Sequence, residues 1–489
     1  MWNFFSNLVN LSSNNVKLWN TLSRQKEEFI PIKSGKVGLY TCGPTVYGYP
    51  HLGNMRTYVF EDVLKRVLTY NNYKVRHIMN ITDVGHLTGD RDMGDDKMEK
   101  EAKKEHKTAW EIAEFYTKAF KKDLVSLNII NPDVFCKATD HIDAQIAMIE
   151  ELEKKGFVYL TSDGVYFDTS LVPDYNKLSH QNLEALKEGA RIEKNEEKKN
   201  ATDFALWKFS PKTPVLHSAG KEKSEKRQME WKSPWGVGFP GWHIECSAMS
   251  MYYLGEQFDI HCGAVDAISI HHTNELAQSE AATGKKPWVR FWLHGEHLNL
   301  DGGRKMAKSS GDNITIQNIF IDKKIDPLVF RFATFSTHYR KSMVWNDDIL
   351  NSGLNSYDNF TRRIKALGKK TGKINAAYKE EFIQAINDDL NISKAIAVAN
   401  EVFKSDISDK DKLATILDFD RVFGLNLEKL ITENKKVEAL PDEIGKLMAE
   451  RQVARNDKNW AESDLLRDKI LELGYEIKDT PTGPQVIKK

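Results

Sequence analysis

The sequence predicts an α/β protein, a parallel sheet covered by helices, with a helical remainder. Three observations carry this. Apolar strand-like runs alternate with amphipathic stretches from Val37 to about Asn128, the βαβα order that builds parallel sheets. Beyond Asp312 the apolar spacing approaches about 3.6 residues, in Pro327–Thr337, Ile349–Leu367, Glu381–Phe403 and Asp442–Asn456. At 489 residues the chain is too long for one core, so two or three domains are expected.

Met1–Asn15 contains no Lys or Arg, which suits neither a secretory signal nor a transit peptide, and reads as a disordered extension. Val37–Tyr40 reads as a buried strand running into a turn rich in Gly, Pro and Tyr, Thr41–Asn54. A helix starts near Gly53 and carries Val59, Val63, Leu64, Val67 and Leu68. Strand, tight turn and helix start together make a phosphate site, because free helix N–H groups face whatever lies above the turn. A strand over Val75–Thr82 and helices over Trp110–Leu127 and Asp140–Lys154 follow. Phe157–Leu160 and Val165–Asp168 flank a Ser162-Asp163-Gly164 turn and read as a hairpin. Glu193–Asn200 and Lys221–Arg227 are dense in charge and read as solvated excursions. Six of the 11 tryptophans lie between Trp207 and Trp292, and six of the 14 histidines between His243 and His297. Such crowding marks the second half of a catalytic domain. Pro481, Gly483 and Pro484 end the last helical stretch.

Bulk composition excludes little. With 40% hydrophobic and 29% charged residues, and Lys+Arg and Asp+Glu both at 70, net charge favours no particular partner. No apolar run approaches the ~18 residues that span a bilayer. Four cysteines (Cys42, Cys136, Cys246, Cys262) are too sparse for a disulfide scaffold, so the cytoplasm is expected.

Three places can carry chemistry. His271 and Glu275 are four apart in a run of helical character and so share a face. With Cys42 and Cys246 they make a Cys₂-His-Glu set, whose thiolates, imidazole and carboxylate suit tetrahedral Zn²⁺. Spacing alone leaves His243, His261, His272 and Cys262 as rival ligands, and lone cysteines are commonly small buried hydrophobes. The second place is Gly302–Gly311, where Lys305 and Lys308 sit in a glycine-flanked loop that can neutralise a leaving pyrophosphate. The bland alternative is a solvated turn. The third is Arg451–Lys489, with Arg455, Trp460, Arg467 and Tyr475, groups that stack on or pair with RNA. Eight bases against seven acids there also describe an ordinary charged helical pair.

Taken together, the motifs resemble the class I aminoacyl-tRNA synthetases, and among them the cysteinyl-tRNA synthetases. Pro44–Asn54 resembles the HIGH signature and Lys305–Ser309 resembles KMSKS; Gly241–Met249, His271–Ser279, Asn387–Ala395 and Lys458–Asp468 resemble further family blocks. The resemblance implies a Rossmann-like catalytic domain with an inserted connective segment, then an α-helical bundle and a small anticodon-binding region. The matching boundaries are 16–155 and 236–312 for the catalytic halves, 156–235 for the insertion, 313–425 for the bundle and 426–489 for the last region, after the extension 1–15.

The same resemblance implies Zn²⁺ on Cys42, Cys246, His271 and Glu275, with Thr82 and Trp242 lining the amino-acid pocket. Pro44, His51, Gly53 and Asn54 meet ATP, which brings Mg²⁺, and Lys308 assisted by Lys305 meets the pyrophosphate. The partners implied are L-cysteine, ATP and tRNA(Cys), with the chain a monomer. Zinc prefers a thiolate to the serine alcohol, so no editing domain is needed. Four departures stand out: Asn54 ends the HIGH-like motif where the family has His, Ala307 replaces the first Ser of KMSKS, Cys262 stands where Gly is usual, and a charged insertion surrounds Lys221–Arg227. A spare thiol at Cys262 near zinc competes as a ligand. Rival readings are a ligase that passes cysteine to a small amine, for which the long helical region is superfluous, and a non-enzymatic RNA-binding relative, which is expected to have lost site residues. Methionyl-tRNA synthetase has the same architecture, but this chain lacks a CxxC knuckle.

Overall fold

The computed structural model describes residues 15–86, 96–180, 197–210, 227–306, 314–432, 441–457, 459–480 and 483–488. The expected extension up to Asn14, Lys308, half of the first charged run and most of the second lie outside them. The chain forms two compact units, one up to Leu427 and one from Glu428.

The first unit opens with a hairpin, β1 (Lys17–Asn20) and β2 (Gln25–Glu28). β3 (Lys36–Thr41) then leads through the Gly/Pro turn to helix α1 (Leu52–Tyr70), and β4 (Lys74–Ile81) follows. Helices α2 (Lys97–Glu105) and α3 (Ala109–Ser126) precede β5 (Val134–Lys137) and α4 (Ile142–Lys154). An antiparallel sheet is inserted next: β6 (Val158–Leu160), β7 (Gly164–Phe167), β8 (Phe204–Phe209), β9 (Trp231–Ser233) and β10 (Gly236–Pro240), in the order β6-β7-β8-β10-β9. Helix α5 (Trp242–Leu254), β11 (Phe258–Ala264), α6 (Thr273–Thr283) and β12 (Val289–Gly295) complete the central sheet. Its order is β12-β11-β3-β4-β5, all parallel. The chain reverses its direction of travel across the sheet between β3 and β11, and such a switch point opens a crevice at the strands' carboxyl ends.

The short parallel strands β13 (Leu298–Asn299) and β14 (Met343–Val344) bridge to the helical part. That part comprises α7 (Leu328–Thr334), α8 (Asp347–Ala366), α9 (Ala376–Ile386), α10 (Ile392–Lys404) and α11 (Asp409–Phe423). A buried ion cluster ties it to α1. Asp62 accepts from Arg66 Nε (2.7 Å) and Arg331 Nη2 (2.5 Å), while Arg331 Nε donates to the Phe423 carbonyl at 2.6 Å. Removing one partner of such a pair typically costs ~3–5 kcal/mol, because the other charge stays buried.

Three sequence expectations are corrected. Glu381–Phe403 is not one helical run: Asn387–Asn391 interrupts it, with Asp389 and Leu390 at φ 57° and 56°. Periodicity missed the break because both helices bury apolar faces in the same unit. Arg227 is not solvated; its side chain is 8% exposed, paired with Asp96 and 3.5 Å from the Phe239 ring centroid. An arginine with an aromatic face and a carboxylate partner can be buried where the composition of its neighbours suggests solvent. The sequence after the last helix also continues into structure. In the second unit α12 (Leu427–Thr432) leads in, α13 (Asp442–Asn456) and α14 (Trp460–Glu472) pack together, and β15 (Tyr475–Thr480) pairs antiparallel with β16 (Gly483–Lys488). Gly483 and Pro484 therefore open β16, and Pro481 lies outside the described residues. Among the described residues no helix is long and apolar enough to cross a membrane.

Candidate active site and metal centre

Cys42 leaves the end of β3, and its N–H donates to the Cys262 carbonyl on β11 at 3.0 Å, so the thiol sits at the switch point. The next residue must be glycine: a Cβ on Gly43 would lie 1.7 Å from the Asn80 carbonyl oxygen. Cys246 lies one turn into α5, on the face that also carries Trp242. A π-helical turn, Ile268–His272, enters α6 and presents His271, with Glu275 one turn on.

Three of the four predicted ligands, Cys42, His271 and Glu275, meet in one close group, and Cys246 stands beside it. His271 Nε2 lies 2.8 Å from Glu275 Oε1, and Cys246 is a hydrogen-bonding neighbour of both Cys42 and His271. His272 joins them, its Nε2 3.2 Å from Cys42 Sγ. Ligand atoms of Cys42, His271, His272 and Glu275 all fall within 4.8 Å of one another. The bond to Cys246, then burial, push the Cys42 thiol up, and the same bond draws Cys246 down. Burial opposes charge on His271, but Glu275 and the bond to Cys246 lift it to about 10. Burial likewise works against the Glu275 carboxylate, which His271 and His261 nonetheless hold at about 2.

The donor set fits a borderline-soft cation such as Zn²⁺. Glu275 Oε1 is buried and accepts no well-directed hydrogen bond, a lone pair left for another partner, while Oε2 is held by His261 Nε2 at 2.9 Å. Cys262 stands apart from that group. His261 and Cys262 face opposite sides of β11, and where His261 reaches Glu275, Cys262 has Glu61 of α1 as its charged neighbour. Strand alternation thus sets the Cys262 thiol on the face of β11 away from Glu275, outside the close group.

Beside the cluster, Thr82 Oγ1 donates to Glu245 Oε2 (2.9 Å) and accepts from Asn80 Nδ2 (3.0 Å), while His86 Nε2 lies 2.6 Å from Glu245 Oε1. The Trp242 ring is 4.5 Å from that of His271. Sequence reasoning missed Asn80, His86 and Glu245. The signal available was helical spacing, since Glu245 is one turn from Trp242.

At the start of α1, His51 and Asn54 cap each other. His51 Nδ1 accepts the Asn54 N–H and Asn54 Oδ1 accepts the His51 N–H, both at 3.2 Å. The cap fixes the His51 proton on Nε2 and leaves Asn54 its amide N–H groups as donors. Gly53 makes room, as a Cβ there would lie 2.9 Å from His51 Nδ1. The Pro44 carbonyl accepts from Thr82 N at 3.1 Å, joining this turn to the end of β4. Lys305 follows β13 and bridges back to Asn299.

Residues 28–355 match the family described as tRNA synthetases class I (C) catalytic domain. By fold and by that match the chain belongs to the class I tRNA synthetases. Two solved structures share the fold: Mycobacterium tuberculosis methionyl-tRNA synthetase bound by methionyl-adenylate, and the Agrobacterium radiobacter K84 agnB2 LeuRS in its ternary complex with tRNA and LeuAMS. The first has TM-score 0.53 and 14% identity over 81% of this chain and 92% of that one. The second has TM-score 0.54 and 12% identity over 84% and 87%. Residues 437–486 match the cysteinyl-tRNA ligase anticodon binding domain. The Burkholderia lata cysteine–tRNA ligase 1 is 44% identical over 96% of both chains, and the Treponema denticola cysteine–tRNA ligase 43% identical over 95% of this chain and 98% of its own. The chain is a member of the cysteine–tRNA ligase family.

Proposed function

We propose that this chain joins L-cysteine to ATP, giving cysteinyl-adenylate and pyrophosphate, and then transfers cysteine to the 3′ end of tRNA(Cys). One observation carries the reading: a thiol, two imidazoles and a carboxylate converge at the switch point, with a second thiol beside them, near a helix start whose N–H groups suit anions. Cys42, Cys246, His271 and Glu275 would hold Zn²⁺, with His272 hydrogen-bonded to Cys42 and His261 to Glu275 as supports. Bound there, zinc supplies selective affinity for a thiolate over an alcohol.

The protein's own groups do the rest by positioning and charge. Thr82 and Trp242 flank the amino acid, with the Thr82 hydroxyl aimed by Glu245 and Asn80. ATP arrives with Mg²⁺ over the turn Pro44–Asn54, where His51 Nε2–H, the Asn54 amide and the amide N–H groups of α1 receive its phosphates. The cysteine carboxylate attacks the α-phosphorus in line as the bond to the bridging oxygen breaks. Lys305 and Lys308 balance charge on the departing pyrophosphate. A terminal ribose hydroxyl of the tRNA then attacks the adenylate carbonyl and releases AMP. We read the chain as a monomer of the cytoplasm, a reducing compartment that suits four free cysteines.

The test is cysteine-dependent ATP–pyrophosphate exchange with serine as control, then transfer to tRNA(Cys). Charging of tRNA with one zinc bound per chain supports the reading. Adenylate formed but delivered only to a small amine would replace it with the rival ligase.

A further inference from the structure

Arg56 has no part in the chemistry above. It lies on α1 two residues after Asn54 and is 4% exposed. Its guanidinium N–H groups go to main-chain carbonyls. Nη1 donates to Glu296 (2.8 Å) and His297 (2.7 Å), and Nη2 to Lys341 (2.6 Å) and His338 (3.3 Å). Burial pulls the guanidinium down to about 10, so it stays cationic at neutral pH.

Both stretches it holds lead into the strands that carry the lysine loop. Glu296 and His297 run directly into β13, and Lys341 into β14, which pairs with β13. β13 continues to Lys305 through the Leu300 N–H bond to the Arg304 carbonyl (2.7 Å) and the Asn299–Lys305 bridge. The second stretch is itself anchored, since Tyr339 Oη and Arg340 Nε donate to Asp389 at 2.7 Å each. The first turn of α1 adds another tie, the Leu52 N–H to the Ile314 carbonyl at 2.9 Å. One planar fork therefore joins the helix that starts at His51 and Asn54 to the strand pair that leads to Lys305. Lysine, a point charge on a flexible stem, cannot span four carbonyls.

We propose that Arg56 is a positioning residue for adenylate formation: it sets the β13–β14 pair, and Lys305 with it, against the His51–Asn54 helix start. This rests on the reading that Lys305 meets the ATP phosphates. The test is a double-mutant cycle of Arg56→Lys and Lys305→Ala, read as single-turnover adenylate formation, with cysteine affinity and melting temperature measured in parallel. Arg56→Lys is expected to slow the step by about 10–100-fold, the cost of misplacing a group by about an ångström, with cysteine affinity unchanged. In the Lys305→Ala background it should add little. Arg56→Gln, which keeps donors but removes the buried charge, serves if Arg56→Lys folds poorly, with the same expectations. A slow Lys305→Ala whose effect multiplies with that of Arg56 overturns the inference alone. A normal rate in Lys305→Ala overturns the phosphate reading of Lys305, and the inference with it.

Discussion

Gly53→Ala separates the stability of the α1 start from its chemistry. The added methyl would sit 2.9 Å from His51 Nδ1 and 3.0 Å from Cε1, so the imidazole must move by roughly half an ångström to reach ordinary contact. That motion breaks the bond from the Asn54 N–H to His51, a cap worth about 1 kcal/mol. Against this, Ala in place of Gly inside a helix gains up to about 1 kcal/mol. The two nearly cancel, and the melting temperature should stay within about 3 °C of wild type. His51, however, no longer aims Nε2–H at the phosphates. ATP–pyrophosphate exchange should fall about tenfold in kcat/KM, ~1.4 kcal/mol of lost transition-state stabilisation. An unchanged exchange rate in a variant with normal melting would refute the role given to the His51–Asn54 cap.

Other outcomes follow from the same geometry. His271→Ala should lower zinc content and raise the KM for cysteine by at least about tenfold; full zinc occupancy by metal analysis would remove His271 from the ligands. Cys262→Ala should leave zinc stoichiometry unchanged, because its side chain faces α1 and not Glu275; a loss of zinc would place that thiol back at the metal. Burial pushes Asp123 up to about 7, so ionising it costs stability. That cost is absent below the ordinary carboxylate pKa near 4, grows as pH rises, and is complete above about pH 7, at most ~4 kcal/mol. Asp123→Asn should therefore raise the melting temperature more at about pH 8 than at about pH 5, and an equal shift at both would contradict this.

What the sequence made legible was local. Val37–Tyr40, the turn after it and the helix from Gly53 needed only periodicity and turn chemistry; the strand appears within a residue of its expected ends and the helix within a residue of its expected start. The charged residues of α1 were less legible. Asp62 and Arg66 carry a solvent-face signature, yet both are buried, because Arg331, some 270 positions away, packs against Asp62. Arg227 misled for the same reason: its neighbours in sequence are charged, while its neighbours in space are Asp96 and Phe239. In the metal cluster, one-turn spacing links His271 to Glu275, but nothing local joins them to Cys42. Only the resemblance to a family linked them in advance. His272 shows the remaining gap, since a π-helical turn brings two successive histidines to one cluster where a regular helix separates them by about 100°.

The central claim is that a metal at Cys42 distinguishes cysteine from serine. It is tested most directly by the ratio of cysteine- to serine-dependent ATP–pyrophosphate exchange, measured before and after chelation and again after zinc is restored. The account predicts a ratio of about 10⁴ or more in the zinc-loaded enzyme, a collapse on chelation, and recovery with zinc. A ratio that stays high in the metal-free protein would contradict it.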